Sequence, residues 1–469
     1  MAIYECSVCG HRYDEEKAGT RWEELSDDWL CPVCESKKSY FHPVGAQSIP
    51  QEAQTATQGT MDAYLNQWAR DGDQLEEFMK DIHSMALTGE SIIEPMRSRK
   101  PVVSWDDILI KGAQLTKIPL NKEVSVNTQT VIGPKAKQPL VIETPLYVTH
   151  MSFGALSREA KIAIARGSAA VHTATCSGEG GILKEARDFS YKYILEYVPH
   201  RYSITDENLK NVDAVEIKVG QSTKPGMGGH LPGKKVTREI AEIRGFPEGK
   251  DIISPAHFDD ILNKEDLKKK VRWLREKTGG RPIGVKIAAG NLEADLEIVI
   301  YAEPDFITID GRVGATGASP KFVKQATSIP TIFSLYRARK FLDSKNCKDI
   351  SLVITGGLRI SPDVIKALAL GADATAIGTS ALIALGCQQY RICNTGKCPV
   401  GITTQDPELR ARFNVDFSAK RLENFLRVST GELKDFARLT GNDDIHKVSI
   451  ADLCTTNSEI SRHTAIEHV

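Results

Sequence analysis

The sequence predicts an α/β fold: a (β/α)8 TIM barrel preceded by a small metal-binding unit. Eight short apolar, β-branched runs recur between positions 146 and 377, most of them separated by helical patterns, as a parallel barrel requires. The last two runs end in glycine and small hydroxyl residues. Near the start, Cys6 with Cys9 and Cys31 with Cys34 form two C-x-x-C pairs.

At 469 residues the chain has room for a large barrel with attachments. A net charge of −1 gives no electrostatic footprint for nucleic acid or an acidic membrane. The apolar runs are too short to span a bilayer, and the first ten residues, MAIYECSVCG, lack an apolar signal core. Seven of the ten cysteines sit in metal-like spacings, so a reducing, cytoplasmic setting is expected.

Residues 1–46 read as a domain of their own. Four thiolates at Cys6, Cys9, Cys31 and Cys34 can close a tetrahedral site around iron or zinc. Tyr4, Tyr13, Trp22, Trp29 and Phe41 surround them, and an apolar aromatic shell suits an electron carrier. The unit resembles rubredoxin in Y-x-C-x-x-C-G-x-x-Y-D at Tyr4 to Asp14 and in D-D-W-L-C-P-V-C at Asp27 to Cys34. That resemblance implies iron. The segment between the knuckles is shorter than in free rubredoxins, which leaves a zinc ribbon as the alternative. A polar linker, residues 47–60, and a collar, residues 61–138, follow, the collar with a helical pattern at Tyr64 to Met79 and a polar strand at Glu123 to Ile132.

The barrel is expected over residues 139–410, with strands at Leu146 to Met151, Val171 to Cys176, Ala214 to Val219, Asp251 to Ser254, Ile283 to Ile287, Phe306 to Ile309, Leu352 to Thr355 and Ala374 to Ile377. A doubly wound open sheet would want a G-x-G-x-x-G turn opening a helix, and the sequence has none. Residues just past each run should meet at one mouth. They include Ser152, Glu179 among glycines, Gln221, Lys224, Ser254 and His257, with Lys218 and Lys286 on strands themselves. A lysine inside a barrel strand is costly unless an anion meets it, so one of the two is expected to face a substrate carboxylate and the other a reduced flavin. Gly356, Gly357, Gly378 and Thr379 follow the last two strands, where such barrels hold a phosphate. Cys387, Cys393 and Cys398 come next as C-x5-C-x4-C, close enough to converge on one iron–sulfur cluster.

From about Thr149 to Arg410 the chain resembles the FMN-binding central domain of the glutamate synthase large subunit. The matching stretches are MSFGALS at Met151, SGEGG at Ser177, EIKVGQSTKPGMGGHLPGKKV at Glu216, VKI at Val285, GATGASP at Gly314, ITGGL at Ile354, GTSAL at Gly378 and CPVGITTQDPELR at Cys398. The resemblance implies FMN at Ser152, Lys286, Gly356, Gly357, Gly378 and Thr379, and a 3Fe–4S cluster on Cys387, Cys393 and Cys398. It implies 2-oxoglutarate beside Glu179, Lys218, Gln221 and Arg244. The sequence departs from the family at SPAHFDD, around His257 and Asp259, and at Arg312 and Val313 ahead of GATGASP. No glutaminase domain precedes the barrel, and the tail, residues 411–469, is too short for the family's β-helix and carries an amphipathic pattern from Phe417 to Leu439.

The function this implies is reductive amination of 2-oxoglutarate to glutamate. Electrons would come from an external donor protein through the rubredoxin-like centre and the cluster, and nitrogen from ammonia, another amine or a separate glutaminase. Two alternatives stand beside it: an FMN enzyme acting on another 2-keto or 2-imino acid or amine, and a non-catalytic electron-transfer flavoprotein.

Overall fold

The computed structural model describes residues 2–6, 11–26, 28–33, 36–44, 74–94, 97–100, 102–317 and 319–469. Cys9, Cys34, the linker and most of the Tyr64 to Met79 pattern lie outside them.

Eight parallel strands form a nearly closed barrel: β1 (Leu146–Val148), β2 (Ala174–Cys176), β3 (Lys192–Tyr197), β4 (Ala214–Lys218), β5 (Ile283–Ala288), β6 (Phe306–Asp310), β7 (Ser351–Thr355) and β8 (Ala374–Ile377). Each pairs with the next in sequence from β2 to β8, and β8 pairs with β1. The seam between β1 and β2 is bridged by Glu143 N–H donating to His172 O at 3.1 Å and by Thr173 Oγ1 donating to Leu146 O at 2.7 Å. The floor is filled by Phe306, whose ring lies where any Cβ on Gly284 would fall, 2.2 Å from its Cζ, together with Tyr147 and Ile194.

Seven of the eight expected runs are barrel strands. The exception is Asp251 to Ser254, of which Ile252–Ile253 pairs antiparallel with His230–Leu231 in a hairpin outside the barrel. Only two apolar residues stand there before a proline, too few for a buried strand. The strand in its place is β3, KYILEY, whose Lys192 and Glu196 broke the apolar pattern although Glu196 is 4 % exposed inside the barrel.

The helix after β1, α1 (Arg158–Ala169), packs against α2 (Val415–Leu439), the amphipathic tail helix, which starts two residues before the pattern. Their backbones nearly touch: a Cβ on Gly167 would lie 2.7 Å from Ala419 O. Beyond α2, Leu453–Thr455 pairs with Ile108–Ile110 of the collar. The collar's described helix is Met79–Thr88, and within Glu123 to Ile132 only Thr130–Ile132 is strand. Arg312, one of the departures from the family pattern, is buried and ties the loop after β6 to the collar through Ser98 Oγ at 2.7 Å.

The N-terminal unit is a three-stranded antiparallel sheet, Ile3–Cys6 between Arg12–Asp14 and Phe41–Pro43. Cys6 and Cys31 are buried. Trp22 stacks on Tyr4 with ring centroids 4.4 Å apart and lies against Tyr13, Trp29 and Phe41.

Candidate active site

Parallel pairing puts Lys218 of β4 beside Lys286 of β5, and Lys286 beside Thr308 of β6. Both lysines are buried, and each meets a carboxylate. Lys218 Nζ donates to Glu179 on the glycine loop after β2, which also accepts from Ser254 Oγ. Gly229 lies so close that a Cβ there would be 2.8 Å from Glu179 Oε1. Burial works against the Glu179 carboxylate, but Lys218, the Ser254 hydroxyl and Lys224 outweigh it and hold its pKa down at about 2. Glu179 is therefore ionised at neutral pH. Lys224, donating to Gly228 O at 2.6 Å, is pulled down to about 8 by burial and then by the charge of Lys218.

On the neighbouring strand, Lys286 Nζ lies 3.7 Å from Asp310. Burial opposes its charge, yet Asp310, Glu216 and Glu196 push its pKa above the ordinary lysine value, so it stays an ammonium. His150 Nδ1 accepts from the Gly178 N–H at 3.2 Å, and its Nε2 lies 3.1 Å from Glu216. Lys161 of α1 donates to the carbonyls of Met151, Cys176 and Ser177 at 2.9, 2.7 and 3.0 Å, binding the loops after β1 and β2 together. Burial lowers its pKa to about 8. His150, Lys161, Glu196 and Glu216 are neighbours of these residues that the sequence reading did not pick out. For Glu196 and Glu216 the available signal was polarity inside strand runs; Lys161, on a helix, offered none.

Arg244 is buried at the end of the helix Arg238–Arg244. Its Nη2 donates to Phe153 O at 2.7 Å, its guanidinium lies 5.3 Å from the Tyr202 ring centroid, and its Nε has no hydrogen-bond partner among the described residues. Gln221 and Ser152 are half-buried at the same mouth. His257 is exposed, and Asp259 pairs with Arg201 on the surface.

Across the mouth, Gly356 and Gly357 both take left-handed backbone, φ 108° and 95°. A Cβ on Gly356 would lie 2.2 Å from Gly311 O, and one on Gly357 would lie 2.6 Å from Val313 Cγ2. Gly378 caps the helix Thr379–Leu385 with no side-chain bond to its first amides, and Ser380 Oγ is buried there without a partner among the described residues. Bare amides and an orphaned hydroxyl suit an anion such as a phosphate.

Cys387, Cys393 and Cys398 line one small, mainly apolar cavity with Leu382, Val400 and Tyr390. Gln389 Nε2 donates to Cys387 Sγ at 3.2 Å, and the buried Lys235 donates to Cys393 O at 2.8 Å. Burial raises the pKa of the Cys387 and Cys393 thiols, with the neighbouring thiols adding to it. Three sulfurs facing one pocket, with a cation and an amide donor beside them, form a fitting ligand set for an iron–sulfur cluster.

Fold and site together define a barrel oxidoreductase with an N-terminal metal module. Residues 94–443 match the family model described as a conserved region in glutamate synthase, and residues 3–41 match rubredoxin, which implies an iron site. The chain belongs to the glutamate synthase family, enzymes that act on CH–NH2 donors. It is 36% identical to an archaeal-type glutamate synthase (NADPH) of Thermotoga maritima over 92% of this chain and 86% of that one. It is 35% identical to the archaeal glutamate synthase (NADPH) of Archaeoglobus fulgidus over the same shares. A glutamate synthase large subunit-like protein of Rhizobium meliloti is 36% identical over 81% of this chain and 91% of its own length. Among the described residues no helix is long and apolar enough to cross a membrane.

Proposed function

We propose that this chain catalyses FMN-dependent reductive amination of 2-oxoglutarate to glutamate, with ammonia or another small amine as nitrogen source. The observation that carries the reading is the pair of buried lysines on adjacent strands, one bound to Glu179 and one held charged beside Asp310. Two fixed ammonium groups side by side suit an anionic acceptor and an electron-rich ring.

Lys218, Lys224 and Gln221 surround the entry, and Arg244 supplies a guanidinium with an unpartnered Nε, so together they match a dicarboxylate. Because Glu179 is ionised, its part is to hold Lys218 in place as an ammonium; Lys218 can then give a proton to the nitrogen of the forming 2-imino acid and take one back from solvent. Ser254 orients Glu179 from the opposite side. Ser152, Gly356, Gly357, Gly378 and Thr379 would hold FMN, which when bound supplies hydride to the imino carbon. Lys286 stabilises negative charge at the ring's position. Cys387, Cys393 and Cys398 would hold a 3Fe–4S cluster, and Cys6, Cys9, Cys31 and Cys34 an iron that accepts single electrons from an external donor protein.

The test is anaerobic. Reduced protein mixed with 2-oxoglutarate and ammonium should regain flavin colour and release glutamate. Colour recovered without glutamate on a range of 2-keto acids and amines rejects the assignment.

A further inference from the structure

We propose that Tyr390 is the contact through which the N-terminal metal module docks on the three-cysteine site and exchanges electrons with it. This deepens the reading above and rests on it. Tyr390 lies between Cys387 and Cys393 in the cluster loop and lines the cavity that the three cysteines share. The same side chain packs, as Phe41 does, against the cluster formed by the buried Cys6 and Cys31 of the module. Its hydroxyl donates to the carbonyl of Val33, which lies inside the second knuckle between Cys31 and Cys34, at 2.8 Å. One side chain therefore touches the ligand shells of both centres.

The loop is shaped to present it. Gln389 and Arg391, on either side of Tyr390, both take left-handed backbone, φ 59° and 60°, a conformation few non-glycine residues adopt. Gln389 is also tied back to Cys387 Sγ. Two such residues flanking an aromatic turn it outward from the cavity wall towards Val33, and strain of this kind persists where surrounding contacts enforce it. Leu30 and Val33, exposed by 47% and 46%, put apolar surface beside the knuckle.

The step moves one electron: the module's iron goes from Fe(II) to Fe(III) and the cluster is reduced by one electron, with no bond made or broken and no proton transferred. Electron tunnelling decays steeply with the gap between centres, so a ring that fills the gap and fixes the docking geometry governs the rate. Tyr390 is a positioning residue and is not itself oxidised.

The test uses the holoprotein, with iron, acid-labile sulfide and visible and EPR spectra recorded first. If the module holds zinc, or the three cysteines hold no cluster, the functional reading above falls and this inference with it. With both centres present, rapid mixing with a one-electron reductant should show Tyr390→Leu slowing internal transfer from module to cluster by on the order of tenfold or more, and Tyr390→Phe by less. Reduction of the module itself should be unchanged. Magnetic relaxation of the reduced cluster by the module's iron, a measure of their separation that needs no turnover, should weaken in Tyr390→Leu. Wild-type internal rate and relaxation in Tyr390→Leu, with both centres intact, overturn the inference alone.

Discussion

The two sides of the barrel mouth handle charge by opposite means. On the side of β2 and β4, side chains do the work: Glu179, Lys218, Lys224 and Ser254 form one buried network, in which Lys218 and Ser254 hold the Glu179 carboxyl down and burial, then the charge of Lys218, lowers Lys224. On the side of β7 and β8, backbone does it, through Gly356, Gly357 and the uncapped start of the helix after Gly378. Titratable side chains suit a substrate whose protonation changes during reaction. Fixed amides suit a phosphate that only has to be held.

The sharpest way to break this contrast is Lys218→Met, which leaves Glu179 buried beside one fewer cation. Turnover should fall by about a hundredfold or more and stability by roughly 3 kcal/mol, read by steady-state kinetics and by denaturant unfolding. Restoring stability with Glu179→Gln in the same chain, but not turnover, would show that the pair serves chemistry. On the opposite side, Gly357→Ala places a methyl against Val313 in left-handed backbone and should lower flavin affinity by about tenfold, a loss of roughly 1–2 kcal/mol seen by fluorescence titration. Val313→Ala in the same chain should recover part of it.

Acidity separates the sides further. Lys224 loses its proton near pH 8, so KM for 2-oxoglutarate should rise above that pH while flavin affinity stays level. A flat KM to pH 10 would remove Lys224 from the substrate shell. Glu179 is depressed to about 2, so the stability its pairing contributes is complete above the ordinary glutamate range and disappears as pH falls through about 2. Unfolding followed from pH 6 to pH 2 should show Glu179→Gln losing part of the wild-type acid sensitivity in the lowest window. The smallest effect expected is from Ser254→Ala, about 1 kcal/mol in kcat/KM from one hydrogen bond to a charged group.

How much of this was legible depended on whether a residue's job is local. Gly356, Gly357 and the three clustered cysteines announce themselves because turns and ligand sets are short-range patterns. Lys218 and Lys286 stood out because a charge inside an apolar strand demands a partner. β3 was hidden for the same reason: Glu196 and Lys192 made KYILEY look like surface, although Glu196 is buried with its carboxylate 3.8 Å from His150. Ile252–Ile253 was misplaced because a two-residue edge and a barrel strand look alike over so short a span. Lys161 was missed because its three carbonyl partners lie on loops that only the closed barrel brings together.

The seam between the collar and the tail has a consequence for biosynthesis. Leu453–Thr455 closes on Ile108–Ile110, Lys111 N–H reaches Asp452 O at 2.7 Å and Ala113 N–H reaches Leu439 O at 2.8 Å, so the collar's edge finds these partners in residues made after the whole barrel. Until then the nascent barrel carries an open strand edge and an uncovered face on α1, surfaces that a chaperone would recognise and that a neighbouring polysome could pair with.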